Sequence, residues 1–142
     1  NIGCLVLREM PVCIGVPSDD PLARKERISV EDLKGKTICI IARGFYSHMD
    51  DLRDGLGKTG QIKITDSDFY DFNCFNRCVN DHLLLAMLTN ANVHPMIEVK
   101  EVDWDYKIPF GVIYAKDKYS ELKELLDVLR GMYPGSRFAE EG

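Results

Sequence analysis

Cys74, Cys78 and His82 stand at i, i+4 and i+8. On one continuous helix they share a face, and thiolates beside an imidazole make a donor set that suits zinc. A structural zinc site wants four ligands, however, and the only other histidines are His48 and His94. Reduced cysteines commonly just fill core space, so the expectation is that no metal is held and that these thiols pack. Arg77 beside Cys78 also raises the question of a redox sensor, since a thiolate near a cation oxidises selectively. Two cysteines one helical turn apart hold their Cβ atoms too far apart for an undistorted disulfide, and packing is again the leading reading.

Nucleophilic and phosphate chemistry find less support. The sequence has no G-x-S-x-G, no P-loop, no spaced carboxylate pair, and no cysteine that a motif places with His and Asn partners. No catalytic residue and no cofactor is expected. Gly44-Phe45-Tyr46-Ser47 has a different chemistry to offer, because a strand, a glycine-containing loop and a helix start follow in that order. Free backbone N–H groups there favour a carboxylate or another anion. Against that, Ser47 and Asp50 can satisfy those groups themselves, and Asp50 and Asp51 repel an anion. Trp104, between Asp103 and Asp105, could stack on an aromatic ligand, but a lone Trp at a strand end is more often a packing residue whose N–H is bonded nearby.

The elements that position these residues follow an α/β order. Strands are expected at Val12 to Val16, Thr37 to Ala42, Gln61 to Ser67, Met96 to Val102 and Ile108 to Ala115. Ser18-Asp19-Asp20-Pro21 forms a turn. Ser29 with Asp32 has the spacing of a capping box for a one-turn helix, closed by Gly35. Ser47 with Asp50 has the same spacing for a helix ending near Gly55 or Gly57. A helix runs from Asp71-Phe72-Asn73 through Cys74, Cys78 and His82. Ser120 caps a last helix, in which Leu122, Leu125, Leu126 and Leu129 repeat at amphipathic spacing and which Pro134 and Gly135 end.

Composition limits the classes. The 142 residues fit one compact domain or two small lobes, and 45% hydrophobic with 29% charged residues is ordinary for a globular chain. A net charge of -5 does not suit a surface that grips nucleic acid. The apolar runs are of strand length, short of the roughly 20 residues a membrane helix needs. Five cysteines, an odd number, point to free thiols and a cytoplasmic setting. The start at Asn1, without an initiator Met or a signal-like region, is read as that of a fragment.

Three segments in order carry a resemblance: Met10-Pro11-Val12-Cys13-Ile14-Gly15-Val16-Pro17, then Asp20-Pro21-Leu22-Ala23, then Ile28-Ser29-Val30-Glu31-Asp32-Leu33-Lys34-Gly35-Lys36. Together they resemble the LysR-type regulator pattern of a strand, an H-P-L-A turn and an I-S-x-x-D-L-x-G element. The likeness runs through the rest of the chain, though only the first 36 residues are specific. Asp20 stands where the family usually has His, and Asn90-Ala91-Asn92-Val93 lies where it is commonly Gly-rich.

The resemblance implies the C-terminal part of an effector-binding domain with the type 2 periplasmic-binding-protein-like fold. Residues 18–104 would form an effector-binding lobe with a mixed sheet. Residues 1–17 and 105–135 would supply crossover strands and the C-terminal part of an incomplete second lobe, and 136–142 a tail. Ligand-binding residues would be Gly44, Phe45, Tyr46 and Ser47 at one junction and Asp71, Phe72, Asn73 and Cys74 at the next. The partners implied are a small-molecule effector, anionic or aromatic, and DNA only through a helix-turn-helix domain that this chain lacks. The molecule would be a homo-oligomer, with no membrane association. A solute-binding protein of a transport system shares the fold and is the alternative function.

Overall fold

A computed structural model describes residues 1–68, 70–88 and 93–139. Asn90, Ala91 and Asn92, and the last three residues of the expected tail, lie outside them. The chain forms two units, one made of residues 1–10 and 107–142 and the other of Pro11–Tyr106.

In the first unit β1 (Ile2–Pro11) begins within the unit and its last residue enters the other. The larger unit continues with β2 (Cys13–Pro17), β3 (Arg27–Ile28) and β4 (Thr37–Ile41), then helix α1 (Ser47–Gly57), β5 (Lys63–Ser67), helix α2 (Phe72–Asn80), β6 (Leu84–Met87) and β7 (Ile97–Val102). Its sheet has the order β3-β7-β2-β6-β4-β5. β2 runs antiparallel to both β6 and β7, while β4 is parallel to β5 and to β6. The sheet is therefore mixed, as expected. β2 and β6 are buried along their whole length, which is why both are continuous apolar runs without alternation.

Two short 3-10 turns lead into β4. In the first, Pro21–Arg24, the Asp20 carboxylate accepts from Leu22 N–H at 2.9 Å and pairs with Lys36 Nζ at 3.2 Å. Asp20 thus does a helix-capping job that a carboxylate performs well. The second, Val30–Leu33, carries the expected capping box in full: Asp32 N–H donates to Ser29 Oγ, and Ser29 N–H donates to the Asp32 carboxylate. Gly35 follows with φ +80°, a left-handed bend that glycine adopts without strain.

The smaller unit holds β8 (Lys107–Ala115), α3 (Tyr119–Met132) and β9 (Arg137–Phe138), with strand order β8-β1-β9. Leu5, Leu7 and Leu126 are its buried centre, flanked by Val112, Leu122 and Leu129. Leu125 faces outward instead, together with Val128 and Met132.

Several boundaries differ from the sequence expectations. Val12 to Pro17 belongs to the interior of the six-stranded sheet, and β9 pairs with β1 inside residues 136–142, which the resemblance gives as a tail. The N-cap of α3 is Lys118, without a side-chain bond, because the 3-10 turn Lys116–Lys118 runs straight into the helix and leaves Ser120 inside it. α2 stops at Asn80, and His82, with φ +55°, turns the chain back toward β6.

Candidate functional site

β4 and β5 are parallel neighbours and a helix follows each of them. Helix starts in such a sheet gather beyond the carboxyl ends of the strands, where ligands of open α/β sheets bind. Ala42 N–H donates to Ser67 O at 2.7 Å and ties the two strand ends together. Arg53 of α1 reaches back to the carbonyl oxygens of Ile40 and Ile41 at 3.2 and 2.9 Å and to the Asp66 carboxylate at 2.6 Å. Met49 and Leu52 are fully buried beneath it. Tyr106 lies over Gly55, where any Cβ would collide with its hydroxyl.

At the first junction Gly44 has φ +98°, a conformation that favours glycine. Its N–H is already used: both oxygens of the Asp50 carboxylate lie at 3.2 Å. Tyr46, not Ser47, is the N-cap of α1 and makes no side-chain cap bond. Ser47 is the first helical residue, and its hydroxyl lies 3.5 Å from His48 Nδ1. The capping that spacing suggested for Ser47 is therefore replaced by Asp50 folding back one turn.

At the second junction the Asp71 carboxylate accepts from Cys74 N–H at 2.9 Å and caps α2. Phe72 is exposed and its ring centroid lies 5.0 Å from that of His94. His94 Nδ1 accepts from Met96 N–H at 3.0 Å, so its other nitrogen carries the proton and donates to Asn76 Oδ1 at 2.9 Å.

Two concavities result. One, of about 370 Å3, is lined by Ile41, Phe45, Tyr46, Asp68, Tyr70 and Leu88. The other, of about 480 Å3, is lined by Asp66, Ser67, Asp68, Asp71, Asn73, Cys74 and Arg77. Asp68 belongs to both. The expected ligand residues thus divide: Phe45 and Tyr46 line the aromatic pocket, Asp71, Asn73 and Cys74 line the polar groove, and Gly44, Ser47 and Phe72 line neither. Trp104 donates its N–H to Val12 O at 2.8 Å and meets Tyr106 edge-on, which is the packing role.

Sequence reasoning missed Tyr70, Asp68 and Leu88 in the aromatic pocket. The Tyr70 hydroxyl accepts from Ile41 N–H at 3.2 Å, and burial pushes its pKa up, so it stays protonated and has its own proton to donate. A Tyr three residues beyond an expected strand end was the available signal.

Beneath the polar groove the thiols are arranged differently from the sequence pattern. Cys39 of β4 joins Cys74 and Cys78 of α2, with all three Sγ atoms within 4.8 Å of one another and all three residues buried. His82 is elsewhere, 3.3 Å from the Asp19 carboxylate. Ser67 donates its hydroxyl to Cys74 Sγ at 3.2 Å. The Cys78 thiol directs a hydrogen bond at Cys39, which brings the Cys39 pKa down to about 7 against the opposing effect of burial, and the Arg77 charge adds to the shift. Burial pushes Cys74 up, and donation to Cys39 pushes Cys78 up.

No protein-family model and no curated protein matches the sequence. Solved structures match across most of the chain. The regulatory domain of CcmR from Synechocystis PCC6803, solved in complex with 2-PG, has a TM-score of 0.66 at 12% identity, over 94% of this chain and 68% of that one. The reduced form of the OxyR regulatory domain from Pseudomonas aeruginosa has a TM-score of 0.64 at 16% identity, over 91% and 65%. CbnR, a LysR family transcriptional regulator, has a TM-score of 0.72 at 14% identity, over 93% and 48%. The chain spans between 48% and 68% of the length of these three. It has the fold of the regulatory domains of LysR-family transcriptional regulators.

Proposed function

We propose that this chain is the ligand-sensing part of a LysR-type, DNA-binding transcriptional regulator, acting in the cytoplasm and without a chemical step of its own. The observation that carries the proposal is the aromatic pocket at the end of β4, formed on a fold shared with such regulatory domains. Residues 18–104 supply the effector lobe, with Phe45 and Tyr46 as its main ligand contacts and Asp71, Asn73 and Cys74 on the adjoining groove. Contact with DNA belongs to a helix-turn-helix outside these 142 residues, in keeping with the net charge of -5. Ligand shifts the population between two states of the regulator, by as much as its affinities for the two differ.

The effector we propose is aromatic and uncharged, not anionic. Asp50 occupies the Gly44 N–H that a carboxylate would need, and Asp66, Asp68 and Asp71 surround the shared rim. Phe45 and Tyr46 are 56% and 48% exposed, an unusual degree for large aromatic side chains, and offer ring faces to a flat ligand. Homo-oligomerisation is part of the same proposal; the apolar side chains that α3 leaves in solvent, Leu125, Val128 and Met132, support it. Among the described residues no helix is long and apolar enough to cross a membrane.

Thermal unfolding of the chain with phenol, catechol, benzamide and benzoate tests this reading. Ligand at 100 times its Kd stabilises by about 2.7 kcal/mol, so the uncharged rings should raise the melting temperature and benzoate should not. Phe45→Ala should abolish the shift. Stabilisation by benzoate alone, or turnover of any of these compounds, would overturn it.

A further inference from the structure

We infer that Cys39, Cys74 and Cys78 form a three-sulfur binding site for a trivalent thiophilic metalloid, of which arsenite is the simplest member, reached through the polar groove at Cys74. The inference is independent of the effector reading.

The geometry comes first. A pyramidal trivalent centre bound to three thiolates by bonds of about 2.3 Å holds its sulfurs roughly 3.5 Å apart. The three Sγ atoms already lie within 4.8 Å of one another, so binding asks for a modest inward movement of the three side chains. Two supports hold them: Cys74 and Cys78 are one turn apart on α2, and Cys39 sits in the middle of β4, between Thr65 of β5 and Leu85 of β6. The donor set is all sulfur, which selects soft ions. Among the described residues no histidine or carboxylate joins the three, so the fourth ligand of a structural zinc site is missing.

Charge then chooses within the soft ions. Leu85, Met87, Cys13 and the partly buried Phe75, Leu83 and Val99 pack around the thiols, and a low-dielectric site penalises net charge. Three thiolates leave a charge of -2 on a monovalent ion, -1 on a divalent ion and none on a trivalent one. Arg77 offsets only part of the charge of a negative complex, because its guanidinium is half-exposed and donates to Asp66 O and Thr65 Oγ1 at 3.0 and 2.9 Å. The neutral trivalent product is the one this site favours.

Access and chemistry agree. Cys74 retains 7% exposure and lines the groove of about 480 Å3, so it makes the first bond, followed by Cys39 and Cys78. Arsenite enters as the neutral As(OH)3. At each step one As–O bond breaks, one As–S bond forms, and the hydroxide leaves as water with the thiol's proton. Three waters are released, and neither arsenic nor sulfur changes oxidation state.

The test is a titration of the reduced chain with sodium arsenite in a phosphine reductant, read by native mass spectrometry and arsenic X-ray absorption. One arsenic should be retained with the loss of three protons, and absorption should show three sulfur neighbours, a result that needs no variant. Cys74→Ser, at the rim where Ser67 and solvent can bond the new hydroxyl, should weaken binding by at least about tenfold and leave two sulfur neighbours. Cys4→Ser, in the other unit, should change neither. Failure to retain arsenic, two sulfur neighbours in the unaltered chain, unchanged binding in Cys74→Ser, or tighter binding of zinc(II) than of arsenite would each overturn the inference.

Discussion

The two strand-to-helix junctions of the six-stranded sheet start from the same plan and end with different chemistry. After β5, Asp71 caps α2 in the ordinary way, and small thiols on the helix's inner face are pressed against β4. After β4, α1 begins at an N-cap without a side-chain bond, while Asp50 reaches back to Gly44 and three large apolar residues, Met49, Leu52 and Leu56, anchor the helix. A helix start is therefore not an anion site merely because its amides point outward. What matters is which nearby carboxylate reaches them first, and at both junctions an aspartate does.

The largest effect that should separate the junctions lies in their anchors. Leu52→Ala should cost about 3 kcal/mol, since a fully buried leucine leaves a cavity that the sheet cannot collapse into. Cys78→Ala removes one small group and should cost about 1 kcal/mol. Urea denaturation of both variants measures the gap, and equal losses would erase the distinction. Gly44→Ala comes next, at about 1–2 kcal/mol. Open space awaits the new Cβ, so the whole cost is that of holding alanine at φ +98°. A neutral result would mean that the loop adopts another conformation in solution.

Asp71→Ala should cost about 1 kcal/mol through loss of the α2 cap. Tyr46→Ala, at the equivalent position of α1, loses no cap bond and should weaken ligand binding more than it affects stability. The smallest effect concerns acid. Arg43 hydrogen bonds to Asp54 on α1 and holds its carboxyl below the ordinary value of 3.8. That pair's contribution is fully present above 3.8 and is lost as pH falls through the lower folded value. Asp54→Asn should therefore flatten the acid limb of a stability-against-pH curve slightly, the pair being exposed and screened.

Local chemistry made much of this legible in the sequence. The Ser29–Asp32 capping box, Gly35, the strand at Thr37 and the helix after Tyr46 all depend on residues within a few positions of one another. β6 was not legible, because Leu84–Met87 is buried on both faces and four apolar residues carry no period. The helical spacing of Cys74, Cys78 and His82 suggested a helix running through His82, whereas α2 ends at Asn80. β1 was obscured by Arg8 and Glu9, which lie at its exposed end. Cys39 could not be matched to Cys74 and Cys78 either, since their meeting depends on the pairing order of β6, β4 and β5 and on the side of the sheet that α2 covers. Both strand-to-helix junctions could be found, but not the division of their residues between two concavities, which depends on Tyr70 closing over Ile41.

The most direct measurement of ligand sensing is backbone amide NMR of the chain titrated with catechol. Saturable shifts should centre on Ile41, Phe45, Tyr46, Asp68 and Tyr70, with α3 unaffected. Saturable shifts confined to the Val93–Glu98 surface, or no saturable shift at the end of β4, would contradict the account.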